Sequence, residues 1–240
     1  MRAILLLLLL TLASAASARD FRLCVDSNQW APYTYPDRDG VLQQRVREAA
    51  SRQGDSVTFV ALPWLRCEAM VENGSIDGVL ALPGLPAKLE QFALPLAQGR
   101  IDGTRAAGVG ELVLVMRADS AIQWDGQRLT GLQGKVAYAL GYDGIAARLD
   151  ELGIPNSCDY RSDAQNVMAL LAGRTQVIAI YTENAVVLTE MTAHKDKIVI
   201  LAPPLGHVSF YLAFNKAFYA RERERVETLW TGLSELRKAD

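Results

Sequence analysis

Along the chain, short apolar runs of strand type alternate with segments whose apolar residues recur at helical spacing. The most regular stretch is Val57–Leu82. Val57–Leu62 is a β-branched and aromatic run, and Pro63 punctuates it. From Trp64 to Glu72 the apolar residues Trp64, Leu65, Ala69 and Met70 fall near helical spacing. Asn73-Gly74 then stops the helix, with Gly74 suited to the left-handed position after the last turn. Ile76–Leu82 is a second apolar strand. Two strands and a helix this close predict a parallel βαβ unit with a right-handed crossover. Ligands of open α/β sheets sit beyond the carboxyl ends of the strands. Pro63-Trp64-Leu65-Arg66 lies at such an end, which puts one large flat side chain and one cation where a ligand would be read.

The same alternation continues on both sides. Strands are expected at Phe21–Asp26, Glu111–Arg117, Val136–Leu140, Asp159–Arg161, Gln176–Tyr181, Lys197–Leu201 and Val208–Asn215. Helices are expected at Val41–Gln53, Ile145–Leu152, Asp163–Ala172 behind a Ser162 cap, Ala185 to about Thr192, and Ala220–Lys238. Ser27–Tyr35 is a loop with three aromatic rings, Trp30, Tyr33 and Tyr35. A ring offers much contact area at low entropic cost, but each of these could equally plug a domain edge. Gly141-Tyr142-Asp143-Gly144 is a glycine-bounded turn into a helix, where free backbone N–H groups favour anionic ligand atoms.

Composition narrows the picture. Met1-Arg2, the apolar run Ala3–Leu12 and the small residues Ala16-Ser17-Ala18 have the layout of a secretory signal peptide cleaved after Ala18. An uncleaved anchor is the alternative, but the apolar run is roughly half the ~20 residues a spanning helix needs. The remainder, 50% hydrophobic over the whole chain, is enough for one large or two small domains. A formal charge of −2 without a basic stripe argues against nucleic acid as a partner. No C-x-x-C occurs, and His194 and His207 stand alone, so no metal site and no cofactor is expected.

The pattern of strand, Pro-Trp-x-Arg helix, Gly-x-Ile-Asp-Gly-like turn and strand, with the order of elements over almost the whole mature chain, resembles the bacterial extracellular solute-binding proteins of family 3, the amino-acid-binding type. The resemblance implies a type II periplasmic binding protein fold of class α/β. Two lobes with mostly parallel sheets are joined by two crossings, Ala97–Gly110 and Ala202–His207, with the ligand in the cleft between them. Lobe 1 would be residues 19–106 and 207–240, and lobe 2 residues 107–206. It also implies a Cys24–Cys67 disulfide, against the alternative of three buried free thiols, with Cys158 unpaired on either reading. Trp30, Tyr33, Trp64, Arg66 and Lys88 from one lobe, and Tyr142 and Glu183 from the other, are the implied ligand-binding residues. The chain departs from the family in three places. The helix at Gly40-Val41-Leu42-Gln43-Gln44 lacks the usual aspartate. Pro83-Gly84-Leu85-Pro86-Ala87-Lys88 carries Lys88, a point charge, where relatives have a Thr-x-x-Arg-like clamp for the ligand carboxylate. Ile178 and Glu183 stand where relatives have two aspartates, the second of which grips an ammonium group.

The resemblance implies a monomeric periplasmic protein that captures a small polar solute, amino-acid-like or an organic ion, for an ABC permease or membrane receptor, without covalent chemistry. Two other readings stay open. One is an accessory or signalling protein that has kept the fold without the transport ligand. The other is an enzyme resembling cyclohexadienyl dehydratase with Glu183 as general acid.

Overall fold

The computed structural model describes residues 19–190 and 196–239. The signal-peptide segment, the end of the helix expected to reach Thr192, and His194 lie outside the described residues. The chain runs β1 (Asp20–Asp26), α1 (Val41–Arg52), β2 (Ser56–Leu62), α2 (Trp64–Glu72), β3 (Gly78–Pro83), β4 (Phe92–Ala93), β5 (Leu96–Ala97), β6 (Arg100–Ile101) and β7 (Gly108–Arg117). It continues through β8 (Gln123–Trp124), β9 (Leu129–Thr130), β10 (Val136–Ala139), α3 (Asp143–Glu151), β11 (Asn156–Tyr160), α4 (Asp163–Leu171), β12 (Val177–Tyr181) and α5 (Thr182–Glu190). It ends with β13 (Ile198–Ile200), β14 (Gly206–Asn215), α6 (Lys216–Arg221) and α7 (Arg223–Ala239).

The large sheet has the order β11-β10-β12-β7-β14-β3-β1-β2, with β13 also on β7 and β4 also on β14. The strands joined by helices pair in parallel, β1 with β2 and β3, and β10 with β11 and β12. Every antiparallel pairing of this sheet involves β7 or β14. The sheet is therefore mixed: two parallel halves are welded by two long strands that pair Gly206 with Leu112 and Phe210 with Gly108. The βαβ unit read in Val57–Leu82 carries one correction. Its strands β2 and β3 are not neighbours, because β1 lies between them and pairs with both.

Period-2 alternation places a core on each face of each half. Phe21, Leu23 and Val25 of β1 join Trp230, Phe214 and Val46 on one face, while Cys24 joins Val71, Val79 and Tyr211 on the other. In the second half, Leu112 and Leu114 face Ile145 and Leu149, and Val113 and Val115 face Val167 and Leu170. The Cys24–Cys67 bond ties α2 to the central strand β1, and Cys158 is free and exposed. Helix α2 starts and stops as its sequence dictates: Pro63 precedes it, and Gly74, at φ 79°, takes the left-handed position after Asn73. Gln43 orders the start of α1. It accepts from the backbone N–H groups of Gly40 and Tyr35 and donates to the Tyr35 carbonyl, which fixes the aromatic loop to the start of α1. The single helix expected at Ala220–Lys238 is two pieces. Asn215 caps α6 through Phe218 N–H, and the chain breaks at Glu222 before α7.

Closing a loop of 43 residues in sequence separation corresponds to about 4 kcal/mol on the chain-entropy model. A Cys24→Ser/Cys67→Ser double variant should lose about that much stability in urea unfolding. Trp230 is fully buried, with its indole N–H on the Leu212 carbonyl at 2.6 Å. Trp230→Ala should cost about 3–5 kcal/mol in the same measurement.

Candidate functional site

The carboxyl ends of the parallel strands in both halves converge. Asp26 ends β1, Pro63-Trp64 follows β2, Pro83 ends β3, Gly141-Tyr142 follows β10, Arg161-Ser162 follows β11, and Tyr181 ends β12. Together they line a recess of about 70 Å³ and a cleft of about 770 Å³. Asp26, Asn28, Gln29, Trp64 and Tyr142 belong to the walls of both.

The floor of the recess is aromatic. The Trp30 ring lies 5.1 Å from Tyr181 and 4.7 Å from Phe210, and Tyr181 lies 5.3 Å from Tyr142. Trp30 and Ala81 pack against the cores of both halves, so the floor is also the seam between them. Gly110 makes room for it: a Cβ there would stand 2.7 Å from the Phe210 ring and 3.2 Å from Trp30 and Tyr181. Ala81, in the recess wall, has φ 74°, opposite the register shift between Tyr211 and Leu212 of β14. A non-glycine residue in the left-handed region is strained, and such strain gathers at functional sites.

The polar groups of the cleft come from helix starts and strand ends. Ser162 caps α4 by accepting from Gln165 N–H, which fixes Asp163 in the first turn. Asp163 is 8% exposed, and its Oδ2 accepts from Asn184 at 2.7 Å and from the Tyr142 hydroxyl at 3.2 Å. Its Oδ1 is buried without a partner, as are the indole N–H groups of Trp30 and Trp64, both amide atoms of Asn166 and Glu183 Oε2. Buried polar atoms are normally satisfied, and exceptions call for an explanation. Burial pushes the Asp163 carboxyl up to about 6, outweighing the hydrogen bonds from Asn184 and Tyr142. Burial also raises Asp26 against the stabilising bonds from Asn28. The Tyr142 and Tyr181 hydroxyls are raised too, by burial first and the Asp163 charge second.

Of the residues singled out in the sequence, Trp30 lines the recess, and Trp64 and Tyr142 line both spaces. Tyr33 and Glu183 meet each other instead, the hydroxyl donating to Oε1 at 2.8 Å. Burial and that bond push the Tyr33 hydroxyl up to about 12. Lys88 is 8% exposed, and its ammonium lies 2.6 Å from both Glu68 and Asp143. It is absent from the walls of recess and cleft. Burial works to lower its pKa, but the bonds to Asp143 and Glu68 outweigh this and raise it. Where the resemblance puts a carboxylate clamp, the structure has a lysine consumed by an internal ion pair. Arg66 is exposed on α2 and also outside the walls, because the first turn of that helix turns Trp64 inward and Arg66 out. Tyr35 lies under the Arg38 guanidinium at 3.8 Å, away from the site.

Sequence reasoning missed Asp26, Asp163, Asn184, Tyr181 and Phe210. Asp26 could have been found, since it sits at a strand's carboxyl end. Asp163 behind Ser162 reads as an ordinary acidic first turn. Among the described residues no group of His, Cys, Asp and Glu could hold a metal ion.

The Asp163 carboxyl costs stability whenever it is charged. Unfolded, it titrates near 3.8; folded, it titrates near 6. The penalty is absent below about pH 4, grows as pH rises to about 6, and is complete above that. At about 1.4 kcal/mol per pH unit this is about 2–3 kcal/mol at pH 7. Asp163→Asn should therefore be more stable than wild type at pH 7, with the difference vanishing near pH 4, as read by denaturant unfolding at the two pH values.

No family model matches the chain, and no curated protein matches it. Solved structures do. The GluR0 ligand-binding core from Nostoc punctiforme in complex with L-glutamate is 14% identical, over 91% of this chain and 93% of that one, with a TM-score of 0.64. The P235GK mutant of ArgBP from T. maritima is 18% identical, over 91% and 90%, with a TM-score of 0.66. A histidine kinase sensor domain with similarity to periplasmic binding proteins is 16% identical, over 91% of each chain, with a TM-score of 0.68. The recess and cleft thus lie in a chain with the two-lobed fold of the periplasmic binding proteins.

Proposed function

We propose that the protein is a periplasmic solute receptor that binds a small ligand in the interlobe cleft and reports or delivers it, by lobe closure, to an ABC permease or a membrane-bound sensor. The observation that carries this is a recess and a cleft with shared walls, lined from both halves by residues with unpartnered buried polar atoms, Trp30 Nε1 and Trp64 Nε1 from one half and Asp163 Oδ1 from the other. A ligand drives closure only by binding the closed form better than the open one, so it must touch both halves. In this reading the lobes are residues 19–106 with 207–240, and residues 107–206. The crossings are hinges, and the protein is an exported monomer whose leader is removed after Ala18. Trp30, Trp64 and Tyr142 contact ligand directly. Tyr33–Glu183 and Glu68–Lys88–Asp143 act as latches whose partners come from opposite lobes. The work of the cleft is binding and closure, without covalent catalysis.

A thermal-shift screen of the mature protein against amino acids, organic acids and amines tests this. A ligand at a hundredfold excess over its Kd adds about 2.7 kcal/mol of stability. Trp64→Ala should abolish that shift while leaving the ligand-free protein folded. A panel without any shift would overturn the receptor reading.

A further inference from the structure

The charge and surface of the cleft specify more than a polar solute. The carboxylates in the walls of recess and cleft are Asp26, Asp143 and Asp163, and the cation among them is Arg161, exposed at the outer end. Lys88, the nearby buried cation, already has two carboxylate partners. Asp163, more than nine-tenths buried, keeps one carboxylate oxygen without a partner. Trp64 and Tyr142 stand in the walls of both spaces, and aromatic rings of this kind attract ammonium groups. The lip is apolar: Leu65, Leu140 and Val187 line the cleft and are 48%, 42% and 56% exposed. A ligand matching these walls has a positive head and an apolar body. The charge of an α-carboxylate would meet Asp26 and Asp163 with no buried free cation among the described lining residues to offset it.

We propose that the cleft takes an amine cation with an aromatic or aliphatic body and no α-carboxylate, its ammonium held by Asp163 and Asp26 and its body between Trp64, Tyr142 and the Leu65–Leu140–Val187 lip. This rests on the receptor reading above and names its ligand class. The unpaired Asp163 oxygen then has a function: it is the acceptor that the ligand ammonium fills, and a charge buried with its partner is no longer stranded. Asp163→Asn preserves the side chain's shape and its acceptor for Tyr142 and Asn184, but removes the charge.

Calorimetric titration of wild type, Asp163→Asn and Trp64→Leu with tyramine, putrescine, L-tyrosine, L-glutamate and succinate decides the matter. Tyramine should bind at least tenfold tighter than L-tyrosine, which differs from it by the α-carboxylate. Asp163→Asn and Trp64→Leu should each weaken tyramine at least tenfold, with both variants folded by circular dichroism. Tight binding of L-tyrosine, L-glutamate or succinate with weak or absent amine binding would overturn the inference and keep the receptor. Amine binding unchanged in Asp163→Asn would also overturn it. No binding by any of the five would remove both.

Discussion

The antiparallel pairing of β7 with β14 is the constraint on which the rest depends. Strand β7 pairs with β12 of one half and β14 with β3 of the other, so their own pairing joins the halves by a backbone ladder. Each half is built from parallel strands, and residues at the carboxyl ends of both sets line the same cleft. Gly110 lies within the ladder, and its missing Cβ leaves space for Trp30, Tyr181 and Phe210 to meet. The site is thus a consequence of topology first and of side chains second.

The energetics divide along the same line. Away from the cleft, residues agree at every level: Trp230 is buried and hydrogen-bonded, Gln43 satisfies three backbone groups, and Cys24–Cys67 anchors the helix that carries Trp64. At the recess and cleft, agreement fails: Ala81 is in the left-handed region, and Asp163 keeps a buried oxygen without a partner. A fold gains nothing from these features in isolation, and departures of this kind gather at functional or strained sites. The ion pairs of Lys88 and the Tyr33–Glu183 bond have a different character, since all their partners lie within the protein.

Much of the fold was legible because its signals are local. Pro63 and Asn73-Gly74 bound α2 at the residues the structure gives, and the apolar run in Gln176–Tyr181 gives β12 to within one residue. What was not legible is non-local. That β1 inserts between β2 and β3 is a pairing choice with no sequence period. The start of β7 at Gly108 was hidden by two glycines that only a partner strand and an aromatic cluster explain. The site divided in the same way. Trp64 was read from the strand-end rule, Trp30 from an aromatic loop and Tyr142 from a glycine-bounded turn, and all three line the recess, whereas the pairing of Lys88 with Asp143 joins residues far apart in sequence. Arg66 stands outside the walls by helical phase: two positions along a helix from Trp64, it is exposed on another side of α2.

We propose that the two halves move relative to each other when the cleft fills. It is tested most directly by the distance between spin labels on Gln44 of α1 and Gln127 of the β8–β9 turn, both exposed and on elements packed against different halves of the sheet, in a Cys158→Ser background. The account predicts two populations in the ligand-free protein, or one broad one, collapsing to a single narrow distance with a bound ligand. An identical distribution with and without a ligand whose binding calorimetry has established would contradict it.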